Sequence, residues 1–155
     1  MENEKIKILY VDDEVGNLVG FKSTFRQLYD IKTAVSGKEG MDVLDANPET
    51  HIIITDQRMP EMTGVEFLSA IKERHTEPIR ILLTGYTDFS ALVEAINKGQ
   101  IYRYLQKPWN EDEIKVVVNQ AYEIFDLRKK NKELMKSLER ANEQLEFLLR
   151  QKLIS

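Results

Sequence analysis

Five side chains capable of joint chemistry stand at the ends of short apolar runs. Asp12 and Asp13 follow the run 6–11, Asp56 follows 51–55, Thr84 closes 79–84, and Lys107 comes just after 101–105. Three carboxylates gathered at one place would raise one another's pKa unless a cation joined them. A hard divalent cation such as Mg²⁺ takes oxygen ligands and keeps several waters, so two or three carboxylates and a backbone carbonyl suit it. Lysine and threonine are poor ligands for that cation. They can bind the oxygens of a phosphoryl group instead, the lysine as a point charge and the hydroxyl as a donor. A carboxylate beside Mg²⁺ and a phosphoryl clamp is the layout for an aspartyl-phosphate. Taken singly each residue is ordinary. An Asp after a strand is commonly a helix N-cap or a turn residue, and Lys-Pro is commonly a turn. Their joint chemistry depends on where the chain topology puts them together.

The runs 6–11, 30–35, 51–55, 79–84 and 101–105 are β-branched or aromatic-rich and of strand length. The third is continuously apolar, as expected of a strand buried on both faces. The second and fifth alternate, as expected nearer an edge. Between them the apolar positions fall on helical stripes: Leu18, Val19, Phe21, Phe25 and Leu28; Gly40, Met41, Val43 and Leu44; Val65, Phe67, Leu68 and Ile71; Phe89, Leu92, Val93 and Ile96. Asn47-Pro48 and Lys98-Gly99 close two of these helices, and Ser36 and Thr87 are expected N-caps. Strands alternating with helices imply βαβ units and a parallel sheet. Five such units predict a flavodoxin-like, doubly wound α/β fold with strand order 2-1-3-4-5. In such sheets ligands bind outside the carboxyl ends of the strands, which is where the five side chains stand.

Composition narrows the function. The chain has 155 residues and a formal net charge of -4, which excludes a generic polybasic nucleic-acid binder. It has no cysteine and two histidines, His51 and His75, which removes thiolate and histidine-rich metal sites. The N-terminus lacks the apolar core of a signal peptide, and no apolar run approaches the roughly 18 residues of a membrane span. The expectation is a cytoplasmic protein without direct nucleic-acid or membrane contact. The charge is uneven: residues 126–155 carry 8 Lys+Arg and 5 acids, net +3, leaving the first 125 residues at -7. All four prolines and all seven glycines lie before residue 109. That shift predicts an acidic module over 1–125 followed by a helical extension over 126–155.

The segments Val11-Asp12-Asp13-Glu14, Thr55-Asp56-Gln57-Arg58-Met59-Pro60-Glu61-Met62-Thr63-Gly64, Leu83-Thr84-Gly85 and Tyr104-Leu105-Gln106-Lys107-Pro108-Trp109 resemble the receiver domain of two-component response regulators. The resemblance covers about residues 5–125. It implies that Asp56 is the phosphoacceptor, taking a phosphoryl group from the phosphohistidine of a sensor histidine kinase or phosphotransfer protein. It implies Mg²⁺, or Mn²⁺, held by Asp13, Asp56 and the backbone carbonyl of Arg58, with Asp12 the second acid, acting through water. It makes Lys107 the partner of the acids and then of the phosphoryl oxygens, Thr84 the hydroxyl that moves on activation, and Tyr104 the switch aromatic that turns inward behind it. Gly85 leaves the phosphoryl oxygens room. Arg58 and Tyr86 occupy the two positions that tune phosphoryl lifetime, and both are large. Pro108, after Lys107, is expected to have a cis peptide, which X-Pro bonds can adopt in tight turns.

From Glu111 the pattern is helical without Pro or Gly to the last residue, about 45 residues or roughly 67 Å at 1.5 Å per residue. Heptad positions a are Ile124, Asn131, Leu138, Leu145 and Lys152, and positions d are Leu127, Leu134, Ala141, Leu148 and Ser155, so the register is sound from Ile124 to Leu148. A single Asn at a favours a registered parallel dimer. The expectation is a homodimer through this coiled coil. The chain then stands alone as a regulator or joins its receiver to an output domain beyond residue 155. Two other readings compete: a Mg²⁺-dependent aspartyl phosphotransferase or phosphatase acting as an enzyme in its own right, and a phosphate-independent scaffold. The short loops offer the first no substrate pocket, and the complete set of acids, Thr84 and Lys107 argues against the second.

Overall fold

The computed structural model describes residues 4–85 and 89–154. Tyr86 and the expected N-cap Thr87 lie outside the described residues. The elements run β1 (Ile6–Val11), α1 (Val15–Phe25), β2 (Tyr29–Ala34), α2 (Gly37–Ala46), β3 (Ile52–Asp56), α3 (Gly64–Ile71), β4 (Ile79–Thr84), α4 (Phe89–Asn97), β5 (Arg103–Gln106) and α5 (Glu111–Ile154). The strands form one parallel sheet in the order β2-β1-β3-β4-β5, so the two alternating strands are the edges.

The sheet separates two apolar layers because successive residues of a strand point to opposite faces. On β1, Ile8 and Tyr10 face a layer with Phe21 and Phe25 of α1 and Ile114, Val117, Val118 and Ala121 of α5. Leu9 and Val11 face the other layer, with Leu44 of α2, Phe67, Leu68 and Ile71 of α3 and Leu92 of α4. Every residue of β3 is buried, which explains the apolar run 52–54 that opens it.

Three strands shift from their expected bounds, β3 by a single residue to Ile52–Asp56. β2 begins one residue earlier, because Tyr29 pairs in register with Ile6 and is buried against Phe25. β5, Arg103–Gln106, starts two residues into the expected run 101–105 and ends one residue beyond it. Ile101 is buried in the second layer, ahead of the strand, after a turn in which Gly99 adopts φ +68°. That left-handed conformation suits glycine, which has no Cβ to clash. Ser36 caps α2, its Oγ accepting from the Glu39 N–H at 3.1 Å.

Helix α5 is continuous across residues 125 and 126, so the acidic module and its extension share one helix. Its first turns are buried against the sheet, and Asn110 Oδ1 accepts from the Asp112 N–H at 2.8 Å at its start. Where the helix leaves the sheet, Tyr122 and Phe125 pack edge-on against His51, with ring centroids at 5.1 and 4.8 Å. Burial lowers the His51 pKa, and its Nδ1 accepts from the Lys7 N–H at 3.0 Å. Beyond this point Lys132 Nζ reaches Glu77 Oε1 at 3.3 Å, and residues 127–154 are exposed.

Candidate functional site

Register assembles the site. Val11 pairs with Thr55, Asp56 with Leu83, and Thr84 with Gln106. The residues that follow these pairs therefore emerge together at the carboxyl edge, although they are separated by up to 95 positions in sequence. Backbone bonds hold the alignment: the Gln57 N–H donates to Leu83 O and the Lys107 N–H to Thr84 O, each at 3.0 Å.

The three acids meet there. Ligand oxygens of Asp12, Asp13 and Asp56 all lie within 4.8 Å of one another. Asp12 is fully buried and tightly held. Its Oδ1 accepts from the Glu14 N–H at 3.0 Å, and its Oδ2 accepts from Asn17 Nδ2 at 3.1 Å and from the Tyr10 hydroxyl at 3.3 Å. Asp13, one residue on, is exposed. Lys107 Nζ lies 2.8 Å from Asp56 Oδ1 and 3.7 Å from Asp12 Oδ2. Burial raises the Asp56 pKa, opposed by the hydrogen bond and charge of Lys107 and reinforced by Asp12. Burial and the adjoining Asp12 carboxylate push the Tyr10 phenol far above its ordinary range, so it remains a donor.

The loop after Asp56 is clamped at both ends. Gln57 Oε1 accepts from the Val65 N–H at 2.9 Å, and the Gly64 N–H donates to Gln57 O at 3.0 Å. Thr63 and Glu66 form a reciprocal capping box at the start of α3, which satisfies two of the N–H groups that a helix end leaves without partners. Gly64 sits against the backbone of Asp56, where a Cβ would overlap the Asp56 carbonyl oxygen. Glu61 takes φ 69°, a left-handed turn residue. Arg58, whose carbonyl belongs to the expected ligand set, lies in this loop with an exposed side chain.

Thr84 is buried at the end of β4, its Oγ1 donating to Gly85 O at 3.2 Å, while a Cβ at Gly85 would meet open space. The Lys107–Pro108 peptide is cis. Tyr104 lies on the edge strand β5 with 40% of its surface exposed, near the exposed Val116 of α5. Thus the structure joins Asp12, Asp13, Asp56 and Lys107 in one contact network and sets Thr84 and Gly85 at the neighbouring strand end. Tyr104 stands apart on the outer surface. Tyr10, Asn17 and Gln57 were not anticipated. The spacing of two between Tyr10 and Asp12 was the available signal for the first, since it puts both on one side of β1.

The donor set is all oxygen, is clustered within ligand range, and includes one exposed carboxylate that solvent reaches. It fits a hard divalent cation, with Asp12, Asp13 and Asp56 as the residues that would hold it.

Fold and site together define a receiver module. Residues 8–119 match the family model of the response regulator receiver domain, and the chain belongs to that family. It is similar to the hydrogenase transcriptional regulatory protein HoxA of Cupriavidus necator, 36% identical over 128 residues, covering 83% of this chain and 26% of that protein. It is also similar to a probable chemotaxis protein CheY of Rhizobium etli, 31% identical over 123 residues, covering 77% of this chain and 94% of that one. Among solved structures, a response regulator receiver domain protein from Clostridium thermocellum superposes with a TM-score of 0.74 at 30% identity, covering 78% of this chain and 97% of that chain. An adenylate cyclase from Rhodopirellula baltica superposes with a TM-score of 0.82 at 30% identity, covering 85% and 98%. The chain spans about a quarter of the length of HoxA. No helix among the described residues is long and apolar enough to cross a membrane.

Proposed function

We propose that this receiver module is a phosphoacceptor switch in which Asp56 is the acceptor and α5 carries the response. The observation that supports it most is the bridge from Lys107 to Asp56 at 2.8 Å and to Asp12 at 3.7 Å. A single ammonium bridges two buried carboxylates and sits where phosphoryl oxygens would arrive.

In the reaction an Asp56 carboxylate oxygen attacks the phosphorus of a phosphohistidine on a sensor kinase or phosphotransfer protein. The P–N bond breaks and its electron pair returns to the imidazole, which takes up a proton from solvent. Bound Mg²⁺ or Mn²⁺ would supply positive charge to the phosphoryl oxygens. Asp12 stands at the back of the site, held by Tyr10, Asn17 and the Glu14 N–H. Lys107 exchanges the Asp56 oxygen for a phosphoryl oxygen. Thr84 turns its hydroxyl from Gly85 O to the new acceptor, and Tyr104 moves inward from its exposed position. The added charge and acceptor oxygens shift the population of the α4, β5 and α5 face. On this reading the chain is a cytoplasmic signalling element rather than an enzyme acting on a separate substrate.

The output runs through α5. Its heptad residues Leu127, Leu134, Leu138, Leu145 and Leu148 are all more than half exposed in the single chain. The stripe facing the receiver (Ile114, Val118, Ala121, Phe125, then Lys132) meets the seam at Ile124, which packs against the core, and leaves Leu127, Asn131 and Leu134 exposed. Two copies can therefore pair in parallel from Leu127 onward without either helix leaving its receiver. Relatives such as HoxA are transcriptional regulators, and an output domain beyond residue 155 would receive this helix.

The test is beryllofluoride with Mg²⁺, which forms a phosphoryl-like adduct on a carboxylate, with mass followed by light scattering. A change in assembly that is lost in Asp56→Ala supports the reading. No response in the parent despite Mg²⁺ binding would favour a phosphate-independent scaffold. Thr84→Ala should form the adduct and leave assembly unchanged.

A further inference from the structure

The buried ring of Tyr10 carries a hydroxyl that filling the core does not require. The ring stacks on Phe21 with centroids 4.1 Å apart at 10°. Phe21 in turn meets Trp109 edge-on at 5.7 Å, and Trp109 meets Phe25 at 5.4 Å. Phenylalanine would fill the same space. A buried hydroxyl without partners is costly, so where it occurs its partners are informative. Here the partners are the Asp12 carboxylate, at 3.3 Å, and the Trp109 indole, with Asp56 close enough for its charge to act on the phenol.

The accounting at Asp12 shows what the hydroxyl does. Asp12 Oδ2 faces Tyr10, Asn17 Nδ2 and Lys107 Nζ, and Oδ1 accepts from the Glu14 N–H. Lys107 is shared with Asp56 and is the group drawn to an arriving phosphoryl oxygen. Asn17 is on α1, at the solvent-facing side of the site, and its Nδ2 is shared with Glu14 Oε2 at 3.4 Å. Tyr10 approaches from beneath, from the sheet itself, and its ring is locked by aromatic neighbours on α1 and after β5. It is the donor to Asp12 whose position the rest of the core dictates.

We propose that Tyr10 is a positioning residue of the acidic site: its hydroxyl, braced by Phe21 and Trp109, fixes the Asp12 carboxylate and thereby sets the affinity of the site for a divalent cation. The inference rests on the reading that Asp12, Asp13 and Asp56 hold such a cation. Groups that orient ligating residues typically contribute 10–100-fold to metal affinity.

The experiment titrates the full chain with Mn²⁺ and follows free Mn²⁺ by electron spin resonance, for the parent, Tyr10→Phe and Tyr10→Leu. Tyr10→Phe keeps the stacked ring and removes only the hydroxyl. The expected result is about a tenfold weaker affinity in Tyr10→Phe, with a cooperative unfolding transition retained. Tyr10→Leu should be weakened at least as much. Parent affinity in Tyr10→Phe overturns the inference, and if Tyr10→Leu alone is weakened the ring packs the core and the hydroxyl has no positioning role. A parent chain that binds no Mn²⁺ overturns the cation site itself and this inference with it, a result distinguishable from the other two.

Discussion

Lys107 and Asp56 meet at 2.8 Å, and that ion pair closes the carboxyl edge of the sheet from the β5 side. Burial raises the Asp56 pKa despite this partner. A carboxyl that binds its proton more tightly when folded contributes stability that is present below its ordinary value of 3.8 and lost as pH rises through the raised value. Asp56→Asn should therefore unfold at a higher temperature than the parent at neutral pH in the presence of a chelator. The gap should close as pH falls towards 3.8. About 1 kcal/mol would move the midpoint of a chain this size by roughly 2–4 °C. Calorimetry across pH gives the comparison, and equal midpoints at neutral pH would contradict it.

Glycine substitutions should separate the site loop from α1. A Cβ at Gly64 overlaps the Asp56 carbonyl oxygen and stands 2.8 Å from Leu82 Cδ1, so Gly64→Ala should lose about 1–3 kcal/mol, as overpacked sites do. At Gly20, inside α1, a Cβ meets nothing within 4 Å, and Gly20→Ala should gain about 0.5–1 kcal/mol. Urea denaturation measures both.

Arg58 tests the shielding of a phosphoryl group. It lies two residues after Asp56 with an exposed side chain. Large residues two positions after Asp56 and two after Thr84 are expected from the sequence to hinder attacking water, so Arg58→Ala or Tyr86→Ala should lose an acyl phosphate several-fold faster than the parent, an acceleration of about 1 kcal/mol in barrier. Phosphate release after phosphorylation by acetyl phosphate reads the rate. A rate equal to the parent's would remove the shielding role.

The free seam of α5 makes an opposite pair of predictions. Leu138 is 58% exposed in the single chain and far from the sheet, so Leu138→Glu should abolish dimers while leaving the receiver's unfolding unchanged. Asn131→Leu replaces the one polar residue expected at an inner a position. It should strengthen association and relax the preference for two strands. Sedimentation equilibrium distinguishes the outcomes, and a parent that is monomeric at all concentrations would exclude the seam.

By itself the sequence determined the order of elements, the parallel sheet and the strand ends at which Asp12, Asp13, Asp56, Thr84 and Lys107 stand. These features are local: apolar period, turn residues and short connections each write themselves into neighbouring positions. Only the tertiary structure decided how those ends share charge. Asp12 and Asp13 are adjacent in the chain just past β1, yet Asp12 is buried under three hydrogen-bond donors and the Lys107 ammonium while Asp13 is exposed. The Tyr10 hydroxyl reads as one more apolar-run residue until Phe21 and Trp109, 11 and 99 positions away, close around it. On α5 the heptads were visible in sequence, but only the docking of Ile124, Phe125 and Lys132 shows that the first seam position belongs to the receiver and that the free seam starts at Leu127. Each of these outcomes depends on contacts between distant segments, which the backbone register creates and no local pattern encodes.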